Sequence, residues 1–143
     1  MADFLTSKAQ SEFFSGIALF NSGRFFEAHE LLEDAWRSVP SDQQLKLHCQ
    51  SIVQLAVAFH HQSTGNFVGA QSVLERALRN LSGAEMTFPE LKIDELRSML
   101  QPWQRYFSDI NTPLSLGKDL SQHLNSGARL LSPPPLPIII LDR

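Results

Sequence analysis

The chain is short of several things at once. Its 143 residues include a single cysteine, Cys49. One thiol excludes an internal disulfide, and it excludes a zinc site built on several thiolates. There is no run of lysine or arginine: 12 basic residues are scattered among 15 acidic ones, for a formal net charge of −3. Tight nucleic-acid binding by phosphate neutralisation is therefore not expected. No stretch of about 18 apolar residues occurs, so no membrane span is expected. The start, Met1 to Lys8, has no basic segment followed by a long apolar run, so it does not read as a secretory signal and the expected location is the cytoplasm. A Gly-rich phosphate loop and a Gly-x-Ser-x-Gly nucleophile elbow are both missing. What remains is a globular balance, 43% hydrophobic and 19% charged. A chain of this length buries roughly 70% of its unfolded surface and folds as one domain without staples.

Helical periodicity dominates. Phe13, Phe14, Ile17, Ala18 and Phe20 mark one apolar face, with Thr6 or Ser7 as cap. That helix ends near Asn21-Ser22-Gly23, where glycine suits a left-handed position. A second helix is expected from about Phe25 to Ser38, ahead of Pro40. Ser41-Asp42-Gln43-Gln44 resembles a capping box. It opens a long third helix whose apolar stripe is Leu45, Cys49, Ile52, Ala56 and Phe59. Gly65-Asn66 ends it, and a fourth helix runs from about Phe67 to Leu81. Asp94 is the expected cap of a fifth helix carrying Leu96, Met99, Leu100, Trp103 and Phe107, which Pro102 should kink or split. Leu116, Leu120 and Leu124 hint at a short sixth. Ser132-Pro133-Pro134-Pro135-Leu136-Pro137 must be extended, and Ile138 to Leu141 form an apolar end expected to dock on the helices or on a partner.

The chain also matches itself at an offset of 42. Gly23, Phe25, Ala28, Leu32, Glu33, Ala35 and Arg37 recur as Gly65, Phe67, Ala70, Leu74, Glu75, Ala77 and Arg79. Each copy reads as helix, glycine turn, aromatic plug, then a helix with small alanines that let two backbones approach. Glu33–Arg37 and Glu75–Arg79 have ion-pair spacing. The pattern resembles the tetratricopeptide repeat: Gly16, Leu19, Ala28, Leu32, Ala35 and Pro40 fall at its spacing. It departs where Glu12 and Ser15 replace the expected Trp and Leu, and where Ser82 replaces the second closing Pro.

The expected fold is all-α. It is a compact bundle of two stacked, tetratricopeptide-like antiparallel hairpins, about 8–38 and 43–82, with a C-terminal helix at about 94–108. One helical domain spans 1–131, and 132–143 is an extended, Pro-rich apolar tail.

Gly16 to Arg37, with its Phe20-Asn21, Gly23, Glu27-Ala28-His29-Glu30, Glu33 and Trp36, resembles something more specific. So does Gln50 to His61, with Gly65-Asn66 beyond it. Together they resemble the domain of unknown function 309 family of small prokaryotic helical proteins, over roughly residues 12 to 82. The resemblance implies a compact helical bundle and no activity.

Positions that differ between the copies single out candidate functional residues. His29, Glu30 and Trp36 face Gln71, Ser72 and Leu78, and His61 takes the slot of Leu19. His29, Glu33 and Trp36 share one stripe of the second helix, while Gln50, Gln54 and His61 share a polar stripe of the third. Side-by-side packing is expected to bring His29, Glu30, Glu33, Trp36, Gln54 and His61 together. His29, Glu33 and His61 then suit a divalent metal such as zinc, iron or manganese, or general acid/base chemistry. Against this stand plainer readings: a His–Glu pair is often a satisfied hydrogen bond, and His60 suits a helix C-terminus. His48 and His123 carry no pattern, and Cys49 lies on the apolar stripe. The leading functional reading is a helical binding or scaffold protein for a protein or peptide partner, with the C-terminal tail or that partner in a groove between hairpins. The alternatives are a metal-dependent enzyme, such as a hydrolase, centred on His29, Glu30, Glu33 and His61, and a homodimer packed through the Phe-rich first helix.

Overall fold

The computed structural model describes residues 6–40, 43–112 and 132–141. The described chain is all-helical: α1 (Ser7–Asn21), α2 (Phe25–Arg37), α3 (Gln43–Ser63), α4 (Phe67–Asn80), α5 (Ala84–Thr87) and α6 (Ile93–Asn111). Neighbours pack in chain order. α1 pairs with α2, α2 lies on α3, α3 pairs with α4, and α6 covers α4.

Local chemistry accounts for the helix ends. The Thr6 hydroxyl accepts from the Ala9 amide at 3.1 Å and opens α1. Both hairpin turns close the same way. After α1, Gly23 N–H donates to the Phe20 carbonyl at 3.0 Å and Arg24 N–H to the Leu19 carbonyl at 2.9 Å. After α3, Gly65 N–H donates to Gln62 at 3.1 Å and Asn66 N–H to His61 at 2.8 Å. Both glycines sit at φ 82°, so each turn is a Schellman motif built on a left-handed residue that a side chain would strain. Between α1 and α2 the approach is close. A methyl placed on Gly16 would meet Cγ of Leu32 at 2.6 Å.

The core gathers around Phe59, which is fully buried. Its ring meets Phe20 of α1 at 6.2 Å, Phe25 of α2 at 5.7 Å, and Trp103 and Phe107 of α6 at 5.1 and 6.4 Å. Phe13 stacks on Phe88 at 5.4 Å, tying α1 to the segment before α6. Phe13 and Phe20 are thus spent inside the chain, and Phe14 and Leu19 are the apolar residues of the first helix left part-buried. Cys49 is buried, and burial pushes its thiol up to about 12, which keeps it protonated and inert.

Several expectations are corrected. α6 begins one residue before Asp94, with Lys92 as cap, because buried Ile93 is already helical. Asp94 instead accepts from Arg97 at 3.1 Å. Pro102 does not split α6. It lies exposed on the outer face, while Leu96, Leu100, Trp103 and Phe107 bury the opposite face on both sides of it. The Ser41-Asp42 capping box and the sixth helix at Leu116, Leu120 and Leu124 fall outside the described residues. Short α5 has no signal in the periodicity, since four residues are barely one turn. Glu33 and Arg37 pair at 2.6 Å, whereas Glu75 and Arg79 form no such pair among the described residues.

His48, which showed no pattern, is a buried tie between α3 and the α4–α6 connection. Its Nε2–H donates to the Ser82 carbonyl at 2.9 Å, and its Nδ1 accepts from the Thr87 hydroxyl. Arg97 makes a second tie. It donates to the Leu81 carbonyl and to the Glu85 carboxylate, each at 2.7 Å.

The tail docks on its own chain. Pro135 O accepts from the Trp103 indole at 2.8 Å, Ile140 O accepts from Lys92 N–H at 2.9 Å, and Leu141 bridges antiparallel to Leu91. Ile139 is 1% exposed.

Two outcomes are expected in urea unfolding. Gly16→Ala lowers stability by about 1–3 kcal/mol, because the added methyl overpacks the α1–α2 contact. The Arg97 guanidinium holds the Glu85 carboxyl down at about 2, against an ordinary 4.5. A lowered carboxyl contributes stability above its ordinary value and loses it as pH falls toward the folded one. Glu85→Gln is therefore less stable than the parent at neutral pH, by up to about 1 kcal/mol for so exposed a pair. That gap closes as the titration runs from pH 4.5 down to 2.

Candidate functional site

The α2–α3 face carries the residues that the hairpin repeat leaves unexplained. On α2, His29 Nε2–H donates to Glu33 Oε2 at 2.9 Å, and Glu33 Oε1 accepts from Arg37 at 2.6 Å. Arg37 also meets Asp34 at 3.2 Å. The helix repeat makes this relay, because residues four apart stand one above another. Glu33 is held from both sides, by an imidazole and a guanidinium. Glu30, one step round the helix, is exposed.

His29 does meet α3, though not at the expected residue. Phe26, one turn earlier on α2, stands 5.8 Å from the His29 ring and 5.3 Å from the His60 ring. His60 lies 6.3 Å from His61. Phe26 is 50% exposed, so the result is an open aromatic ring bracketed by two imidazoles.

His61 turns the other way. Its Nδ1 lies 3.3 Å from Nδ2 of Asn66, whose Oδ1 accepts from Gly69 N–H at 3.0 Å to cap α4. Gln54, two turns earlier on the same stripe, accepts from Asn80 of α4 at 3.0 Å. The Gln54–His61 stripe thus serves α4, not α2. One residue is a 100° rotation on a helix, so His60 and His61 cannot both point at α2. The expected set of His29, Glu33 and His61 is not assembled. Among the described residues no group of three or more His, Cys, Asp and Glu is placed to hold a metal ion.

Trp36 is corrected too. Its indole donates to the Lys46 carbonyl at 3.2 Å, and Lys46 Nζ lies 4.3 Å from the ring centroid and donates to the Trp36 carbonyl at 3.4 Å. The pair clasps the end of α2 to the first turns of α3. Trp36 therefore sets the angle of the two helices and does not line a site with His29. Sequence reasoning missed Phe26 and His60. Phe26 was legible as the apolar residue left over once Phe25 is assigned to the core. His60 was assigned to the helix terminus by its position alone.

With this geometry in view, the described chain is a small helical bundle whose α2–α3 face carries Phe26, His29, His60 and the Glu33–Arg37 pair. Residues 13–73 match the family model described as "Domain of unknown function (DUF309)", so that segment of the chain is similar to this family. It is 31% identical over 88 residues to "Uncharacterized protein YpuF" of Bacillus subtilis, covering 62% of this chain and 49% of that protein. It is 27% identical over 82 residues to an "Uncharacterized protein" of Aquifex aeolicus, covering 57% of this chain and 24% of that one. The chain therefore spans half or less of the curated relatives it matches. No solved structure matches it. No helix among the described residues is long and apolar enough to cross a membrane.

Asn66 makes a prediction for this face. Asn66→Ala removes the α4 cap and is expected to cost about 1 kcal/mol in urea unfolding. Asn66→Asp keeps an acceptor and should hold stability near the parent. The His61 ring resonances should shift in both variants and those of His29 in neither.

Proposed function

We propose that the protein is a helical binding module whose α2–α3 face receives a protein or peptide partner. The single observation that carries this reading is Phe26. It is a large ring left half open to water, and interface centres are rich in aromatics. The His29 and His60 rings on either side widen the apolar surface and add hydrogen-bond donors and acceptors. Beside them the His29–Glu33–Arg37 relay supplies charge at the rim, where exposed polar groups tune recognition more than affinity. The helices beneath are rigidly set by the Trp36–Lys46 clasp and by Phe59, so the face is preorganised. The size of the relatives supports a module as well: this chain covers about half of one and a quarter of the other, so similar domains sit within longer proteins.

The test compares immobilised parent, Phe26→Asp and Val68→Asp chains against a lysate of the native host, with bound proteins quantified by mass spectrometry. Val68 is an exposed residue of α4, on neither helix of this face. A partner retained by the parent and by Val68→Asp, and reduced tenfold or more by Phe26→Asp, is the expected result. Identical binding by parent and Phe26→Asp would end the proposal.

A further inference from the structure

The tail is held in the way a ligand is held. The side-chain amide of Asn21, the last residue of α1, grips Ile139 in both directions: Nδ2 donates to its carbonyl at 2.9 Å and Oδ1 accepts from its N–H at 2.8 Å. An adjacent strand would make the same two bonds. Trp103 donates to the Pro135 carbonyl at 2.8 Å, and the Lys92 backbone donates to Ile140 at 2.9 Å. Pro137 and Ile139 turn inward and are buried, while Leu136 and Ile138 turn outward at 48% and 47% exposure. That is the two-residue period of an extended segment.

Every one of these polar contacts reads the main chain of the tail. Selectivity comes only from the inward positions, one proline and one branched aliphatic. An indole N–H on a proline carbonyl is the chemistry by which aromatic-lined grooves take polyproline segments. Such a groove does not depend on whether its segment arrives in cis. The Ile138 N–H also donates to Met99 Sδ at 3.4 Å, while the Leu136 and Ile138 side chains stay half exposed above the groove. The groove also lies apart from the α2–α3 face, and its α6 and tail components lie beyond the family match, which ends at residue 73.

We infer that the groove between the end of α1, the Leu91–Lys92 segment and α6 binds an extended proline-and-aliphatic segment of a partner protein, with the chain's own tail as the competing cis occupant. A tethered occupant acts at an effective concentration of roughly millimolar, so binding in trans is weak until the cis contacts are loosened.

The probe is a fluorescein-labelled peptide with the sequence of residues 132–143, titrated into the full chain. Ile139→Asp in the chain, which loosens the tail and leaves the groove intact, is expected to tighten peptide binding at least tenfold. Adding Asn21→Ala to that chain should weaken it at least tenfold, and a peptide carrying Ile139→Asp should not bind. A second measurement needs no variant. Unlabelled peptide added to the nitrogen-15 parent at millimolar concentration should move the Ile139 amide resonance while the Trp103 indole N–H stays in place. Equal affinity of parent and Ile139→Asp, indifference to Asn21→Ala, or an Ile139 amide that stays put would each overturn the inference. So would a two-chain mass in sedimentation that Asn21→Ala abolishes, because the groove would then hold the tail of a second copy.

Discussion

Phe59 is the contact on which the bundle depends. It projects from the second-last turn of α3 into a space bounded by Phe20, Phe25, Trp103 and Phe107, so one ring touches α1, α2 and α6. Edge-on and tilted aromatic pairs of this kind contribute about 0.5–1.5 kcal/mol each beyond the area they bury. Their larger effect is geometric. A ring packed from three helices fixes the rotation of α3 about its own axis. With that rotation fixed, the next residue, His60, must face Phe26 on α2, and the one after it, His61, must face α4.

The same contact organises the two surfaces. Trp103 packs edge-on against Phe59, and its indole N–H emerges on the far side to meet Pro135. One aromatic cluster thus supports an open face on α2–α3 and an occupied groove on α6. The two hairpins share their turn chemistry and differ in how the second helix of each begins. In the first, Arg24 pairs with Glu27 just past the turn; in the second, Asn66 caps Gly69. The second helix start thus has a side-chain cap on a backbone N–H, and the first has none. Residues polar in one copy and apolar in the other therefore need not mark a site: His61 differs from Leu19 and still serves its own turn through Asn66.

The helices and hairpin turns were legible in the residues, and the candidate site was so only in part. Thr6, Gly23 and Gly65 mark helix ends because capping and left-handed turns are decided within a few residues. The α2 stripe of His29, Glu33 and Arg37 comes from spacing alone. Which side of α3 would meet that stripe does not. The comparison of copies favoured His61 over His60, and Gln54 gave a consistent but misplaced stripe. Trp36 looked like part of the cluster because its periodicity is right, yet its partner lies in the first turns of α3, across the connection between helices. His48 was silent for a related reason: Thr87 and Ser82 are far off in sequence and carry no pattern that points back to it.

The sequence by itself determined the helical class of the described chain, the glycine turns, the extended tail and the absence of an internal disulfide. These rest on period, capping, proline geometry and composition, all of which act locally. Only the tertiary structure decided that His60 and not His61 faces α2, that Pro102 rides on the outside of an unbroken α6, and that the tail lies on its own chain at Asn21 and Trp103. Each of those outcomes is a choice of rotation or docking between elements distant in sequence. They are settled by the burial of rings such as Phe59 and Trp103, which no local rule contains.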